Sequence, residues 1–245
     1  MKILVCITHV PDTTSKINFK DNNTKFDSTG VQFIIGPYDD YALARAVELK
    51  ESTGSTLTVL NVGTAETEPT IRKALAIGAD DAIRVNADPV DSFFVAAQIA
   101  EQAKAGGYDL ILMGRESIDF NSGVVHGIVG ELLGIPSVSP VMKLEIEGST
   151  AKVTREIEGG KEFLELTLPF VAGCQEPIAE WKIPNMRGIM SARTKPLKVV
   201  EAKVVESGVQ VQLFELPPAK GAVKMISPDN VAELVTLLKT EAKVL

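Results

Sequence analysis

The sequence predicts an α/β fold: a doubly wound parallel sheet with β-hairpin excursions and a C-terminal arm. Three observations carry that expectation. Short apolar runs alternate with segments of helical periodicity from Lys2 to Leu133, the order that builds a parallel sheet with helices on both faces. The run Leu110-Ile111-Leu112-Met113 is too short for a helix and apolar throughout, as a buried parallel strand is. Beyond Pro136 the texture changes to alternating strands joined by Gly148-Ser149 and Gly159-Gly160, which are hairpin turn signals.

In chain order, the first strand is Lys2–Ile7, followed by a Pro11-Asp12 turn. Two extended pieces, Ile17–Phe19 and Val31–Ile35, lie around the Asp21-Asn22-Asn23 turn and predict a hairpin excursion. Gly36-Pro37 opens a helix with Asp39 and Asp40 in its first turn, where acids complement the helix dipole. Its buried stripe is Ala42, Leu43, Ala46, Val47 and Leu49. Strand Thr56–Val62 ends at Gly63, and a helix from about Glu66 to Ile77 stops at Gly78. Strand Asp81–Val85 leads to a helix near Asp91–Lys104, closed by Gly106-Gly107. The central strand then ends at Gly114, a polar loop covers Arg115 to Ser122, and helical spacing resumes from Gly123 to Leu133.

The second half is predicted as strands Lys143–Ile146, Ala151–Ile157 and Glu162–Leu168, then the apolar run Pro169–Cys174, which could return to the main sheet. Gln175–Leu197 is irregular, punctuated by Pro177, Pro184, Gly188 and Pro196. Within it Lys182, Arg187, Arg193, Lys195 and Lys198 have no acid among them, a local basic patch. The interleaved Ile183, Met186, Ile189 and Met190 favour a docking surface over a merely solvated loop. Val209–Phe214 is predicted as a strand, Pro217-Pro218 and Gly221 as a linker. Ser227-Pro228-Asp229 caps a helix with Val231, Leu234, Val235, Leu237 and Leu238 on one side. Residues 1–198 are therefore expected as the α/β domain and 199–245 as an arm contacting another subunit, with packing on the core as the alternative.

Composition narrows the function. The 245 residues are 45% hydrophobic and 23% charged, ordinary for a globular protein. A net charge of −7 argues against a general nucleic-acid binder. No apolar run approaches the roughly 18 residues of a membrane span, so no membrane insertion is expected. Met1-Lys2 leads directly into Ile3–Ile7, a first strand rather than a signal peptide. Cys6 and Cys174 both lie in apolar runs and are expected as free buried thiols. A cytoplasmic location follows from these expectations.

The stretch from Tyr108 to Pro136 is the candidate site. Ligands of open α/β sheets bind past the carboxyl ends of strands, where the N–H groups of a following helix suit a phosphate. An ordinary crossover with a Gly-rich turn is the alternative. Catalytic patterns are absent. His9 and His126, the only histidines, have no Ser or Cys partner at a known motif spacing. No Gly-rich nucleotide motif or paired metal-ligand spacing occurs, and Glu116 with Asp119 is a weak carboxylate pair.

Several strings, in order, carry a resemblance that covers essentially the whole chain. They are Val10-Pro11-Asp12-Thr13, Gly36-Pro37-Tyr38-Asp39, Ile71-Arg72-Lys73-Ala74-Leu75-Ala76-Ile77-Gly78-Ala79-Asp80 and Gly114-Arg115-Glu116-Ser117-Ile118-Asp119. Later come Arg155-Glu156-Ile157-Glu158-Gly159-Gly160 and Ile183-Pro184-Asn185-Met186-Arg187-Gly188-Ile189-Met190. Together they resemble the β (small) subunit of electron transfer flavoprotein. The resemblance implies an adenine-nucleotide-hydrolase-like sheet and an electron carrier rather than an enzyme. It implies a FAD-bearing α subunit as partner, with FAD held mainly there and Thr13 and Tyr38 near the flavin. It also implies acyl-CoA or related flavin dehydrogenases as electron donors, as in fatty acid oxidation, and a quinone oxidoreductase as acceptor.

The resemblance further implies a nucleotide pocket at Cys6, Gly36, Pro37, Tyr38, Asp39, Val62, Asp119, Asn121, Ser122, Gly123, Val124, Val125 and His126. AMP, a second FAD and an empty pocket remain open as its state. Val125-His126-Gly127 replaces the family's Thr-Gly-Gln or Val-Gly-Pro type turn, and Gly36 replaces an Asn. Residues Ile183 to Met190 match the family's partner-recognition loop, with Met186 where Leu is common. Two rival classes are weaker. A stand-alone adenine-nucleotide-binding protein of universal-stress type would need a Gly-rich phosphate motif after Met113. An adenylating ATP pyrophosphatase would need a Ser-Gly-Gly loop where Thr8-His9-Val10-Pro11 stands.

Overall fold

The computed structural model describes residues 1–245. Strand β1 (Lys2–Cys6) is followed by β2 (His9–Pro11), β3 (Phe19–Lys20), β4 (Lys25–Phe26) and β5 (Phe33–Ile35). The excursion differs from the expected hairpin: β3 pairs with β4, while β5 pairs antiparallel with β2. Asp21, Asn22 and Asn23 all have positive φ, so the chain reverses at once and joins its nearest neighbours. That leaves Phe33–Ile35 for His9–Pro11.

Helix α1 (Pro37–Thr53) starts at the predicted Gly36-Pro37, and its stripe of Ala42, Leu43, Ala46, Val47 and Leu49 is buried. Next come β6 (Thr56–Val62), α2 (Glu68–Ile77), β7 (Asp81–Asn86), α3 (Ser92–Gly106), β8 (Leu110–Gly114) and α4 (Val125–Leu133). Asp91 caps α3, accepting a hydrogen bond from Phe94 N at 2.6 Å. Helix α4 begins two residues later than its apolar spacing suggests; Gly123 and Val124 remain in the turn. The second half supplies β9 (Ser137–Glu147), β10 (Thr150–Ile157), β11 (Gly160–Thr167), β12 (Phe170–Cys174), α5 (Met186–Ala192), β13 (Leu197–Glu201) and α6 (Val231–Thr240).

One nine-stranded sheet runs β11-β10-β9-β12-β8-β1-β6-β7-β13. It is parallel from β12 to β13 and ends in the two predicted hairpins. Strand β9 joins the two parts, pairing parallel to β12 near Ser137 and antiparallel to β10 from Val141 onward. Alternation along β1 divides the core. Ile3, Val5 and Ile7 pack with α1 and α2 on one face. Leu4 and Cys6 pack with α3 and α4 on the other. Because β6 and β8 flank β1 on opposite sides, connections after β1 and β8 diverge. The crevice at their carboxyl ends is the switch point of the sheet.

The tail departs from expectation in three ways. Val199 and the residues to Glu201 belong to the sheet, since β13 pairs parallel with β7 and straddles the expected 198/199 boundary. Val209–Phe214 forms no strand. It is held instead by Phe214 N donating to Asn23 O at 2.8 Å and by Phe214 stacking on Phe19. The cap of α6 is Asn230 rather than Ser227, and no residue of α6 is buried. No helix is long and apolar enough to cross a membrane.

Candidate functional site

Asp39 is the centre of the crevice. The sequence offers it as a helix-dipole partner and, through the resemblance, as a pocket residue; it is buried at the switch point. Its Oδ2 accepts from Thr8 N at 2.8 Å and Thr8 Oγ1 at 2.6 Å, and its Oδ1 from Gly114 N at 2.7 Å. The carboxylate thus pins the ends of β1 and β8 to the first turn of α1. Burial raises its pKa to about 6, against the lowering by these hydrogen bonds. Gly36 and Gly114 are cut to fit it. A Cβ at Gly114 would lie 2.7 Å from both Asp39 Oδ1 and Tyr38 Cβ, and one at Gly36 would overlap Thr8 Oγ1. The departure at Gly36 therefore has a local reason: the Thr8–Asp39 contact fills the space.

Several residues expected to line the pocket lie at the ends of the strands around this staple. Cys6 is buried at the end of β1, its thiol pKa pushed up by burial. Val62 closes β6 and is buried with it. Tyr38 lies under the Arg115 guanidinium, 4.8 Å from its ring centroid, and Pro37 begins α1 beside it. Thr13 stays on the exposed turn after β2. Arg115 in turn donates to Gln175 Oε1 at 2.9 Å, and Gln175 donates to Glu156 Oε2 at 2.6 Å. This chain links the crevice to the hairpins.

The loop before α4 is internally tied. Asp119 accepts from Ser117 Oγ and from Phe120 N, Asn121 has positive φ, and Ser122 Oγ meets Ser92 Oγ at 2.6 Å. Glu116 pairs with Arg115 rather than with Asp119. The first intrahelical bond near the start of α4 runs from Ile128 N to Val124 O. The amides of Val125, His126 and Gly127 are accordingly the free donors of this helix start, where Gly123 and Val124 were expected to contribute. The side chain of His126 turns away from β1. It packs on Gly173 and lies 3.3 Å from Ser137 Oγ, over β12 and β9, and burial lowers its pKa.

Asn61 was missed in the sequence. It is buried on β6, donates Nδ2 to Ile7 O at 2.9 Å, and leaves Oδ1 without a partner. An unsatisfied buried acceptor beside a crevice calls for a donor. Alternation along β6 puts Asn61 with Leu57 and Val59 on the α1/α2 face of the sheet, whereas the free amides of α4 lie on the face of Leu60 and Val62 and suit a phosphate there. A polar residue inside the predicted strand Thr56–Val62 was the one available signal.

The segment from Ile183 to Met190 is also more ordered than its prolines suggest. Pro184 and Asn185 lead into α5, and Asn185 Oδ1 caps it by accepting from Gly188 N at 2.8 Å. Ile183, Met186 and Met190 are 76%, 72% and 67% exposed, while Arg187 points to solvent and Ile189 faces a groove of about 540 Å³ against α2. The basic patch is smaller than expected. Lys195 Nζ donates to Leu75 O at 2.9 Å and Ala79 O at 2.6 Å, and Lys182 pairs with Glu51 at 3.6 Å.

Comparison with known proteins agrees with this architecture. The family model of the electron transfer flavoprotein domain matches residues 24–205. An electron transfer flavoprotein subunit beta of Bacillus subtilis (strain 168) is 35% identical over 260 residues, covering 100% of both chains. One from Syntrophomonas wolfei is 39% identical over 224 residues, covering 91% of this chain and 88% of its own. One from Bradyrhizobium diazoefficiens is 32% identical with 100% of both chains covered. The chain belongs to the electron transfer flavoprotein family, on its β-subunit branch.

Proposed function

We propose that this chain is the β subunit of a two-subunit electron carrier that braces a FAD-bearing α subunit and docks flavin dehydrogenases. The observation that carries the reading is the C-terminal arm. Val204, Val223 and Met225 are each more than three-quarters exposed, and α6 buries nothing. Apolar surface of that extent on an ordered arm is supported by a partner that covers it. The α/β body is then residues 1–201 and the arm 202–245.

Within the complex, this chain's residues bind and position. Thr13 and Tyr38 stand on the crevice side that would face the flavin, and Arg115 holds Tyr38. The amides of Val125 to Gly127 would hold the phosphate of an adenine nucleotide, AMP being the simplest; both Asp39 oxygens are already engaged, so Asp39 shapes the pocket. FAD, held mainly by the α subunit, supplies the redox chemistry. Ile183, Met186 and Met190 present flexible apolar anchors to an acyl-CoA or related dehydrogenase, and Arg187 and Arg193 steer acidic partner surfaces. Electrons then leave towards a quinone oxidoreductase.

Co-production with an α subunit should give a yellow heterodimer. In it, Met186→Ala should slow reduction by an acyl-CoA dehydrogenase while FAD content stays constant. A colourless monomer, or loss of FAD in that variant, would overturn the reading.

A further inference from the structure

Helix α5 is short, and isolated helices of its length do not persist in water. Its position is nevertheless fixed by a reciprocal arrangement with α2. Arg72 of α2 reaches across and donates through Nη1 to Ala192 O and Lys195 O, both at 2.8 Å. These are carbonyls at and beyond the end of α5, which lack intrahelical donors. In return Lys195 donates to Leu75 O and Ala79 O, at the end of α2. Each helix terminus is therefore satisfied by a cation from the other's segment, and each cation sits at the negative end of a helix dipole.

Close approach completes the lock. Gly188 lies against the Ala76 carbonyl so tightly that a Cβ there would overlap its oxygen. Ala192 is buried in the same contact, whereas Met186 and Met190, one helical turn apart, face solvent. Neither Arg72 nor Lys195 needs to touch a partner for this geometry to matter.

We propose that Arg72 and Lys195 are positioning residues for partner docking, holding α5 as a preset platform that presents Met186 and Met190 together to the dehydrogenase. The proposal rests on the docking role given above and adds its physical cause. A platform already in place binds with its intrinsic affinity. If the lock loosens so that only about a tenth of molecules hold α5 in place, the apparent Kd rises about tenfold.

The test uses the whole heterodimer and a purified medium-chain acyl-CoA dehydrogenase as probe. Hydrogen exchange of α5 amides and Kd for the probe are measured for Lys195→Met, Lys195→Arg and Gly188→Ala. Lys195→Met is expected to speed α5 exchange and raise Kd about tenfold, with Lys195→Arg recovering most of both. Gly188→Ala separates position from helicity. Alanine is the better helix former, so it would tighten binding if helix formation alone mattered; a platform pushed off α2 binds more weakly. Tighter binding by Gly188→Ala, or unchanged α5 exchange in Lys195→Met, would overturn the lock. Should Met186→Ala leave Kd unchanged while α5 exchange still responds to Lys195→Met, the docking role fails and the lock stands as a structural feature alone.

Discussion

Asp39→Asn tests the staple through its pH dependence. The folded carboxyl titrates near 6 rather than at its ordinary 3.8, chiefly because it is buried. A folded pKa above the unfolded one means that the native state binds the proton more tightly. Its contribution is therefore full below pH 3.8 and disappears as pH rises through 6. That difference is worth about 3 kcal/mol in total, of which about 2 kcal/mol remains near pH 4.5 and almost none near pH 7.5. The amide variant has no such titration. It faces Gly114 N with an NH₂ instead of an acceptor, a pH-independent cost of about 1–3 kcal/mol. Asp40, also pushed up to about 6 by burial, is present in both proteins, and its repulsion is the smallest of the causes acting on Asp39. Urea unfolding followed by circular dichroism should show the unsubstituted protein losing about 2 kcal/mol more than Asp39→Asn between these two pH values. Parallel pH profiles, or a steeper loss in the variant, would refute the reasoning.

Other substitutions probe the frame. Gly114→Ala forces a methyl between Tyr38 and Asp39 and should cost about 1–3 kcal/mol, read as a lower thermal midpoint. Phe170→Ala empties the largest fully buried side chain of the core and should cost about 3–5 kcal/mol in urea. Amides of α6, none of whose residues is buried, should exchange almost without protection in the isolated protein and become protected in the heterodimer; strong protection in isolation would count against the arm.

Much of the frame was legible from local pattern. Apolar runs at Ile3–Ile7 and Leu110–Met113, glycine stops at Gly63 and Gly78, and the Gly36-Pro37 start all report short-range chemistry, and the structure keeps them. Elements whose state depends on distant residues were not legible. The spacing of Val209–Phe214 is strand-like, but its contact with the chain is through Phe214 alone, to Phe19 and Asn23, and not through a ladder. Leu197–Glu201 was divided between the end of the domain and the start of the tail, and it became an edge strand because β7 was free to pair.

The site divides along the same line. The sequence by itself determined where the crevice lies, at the carboxyl ends of β1, β6 and β8, since their order follows from the alternation of strand and helix. Only the tertiary structure decided what they do there. Asp39 turned inward because Thr8 and Gly114 offer it three donors. Lys195 left the basic patch because the carbonyls ending α2 lacked partners. Buried polar groups take the partners that packing brings to them, and packing joins residues that lie far apart in the chain.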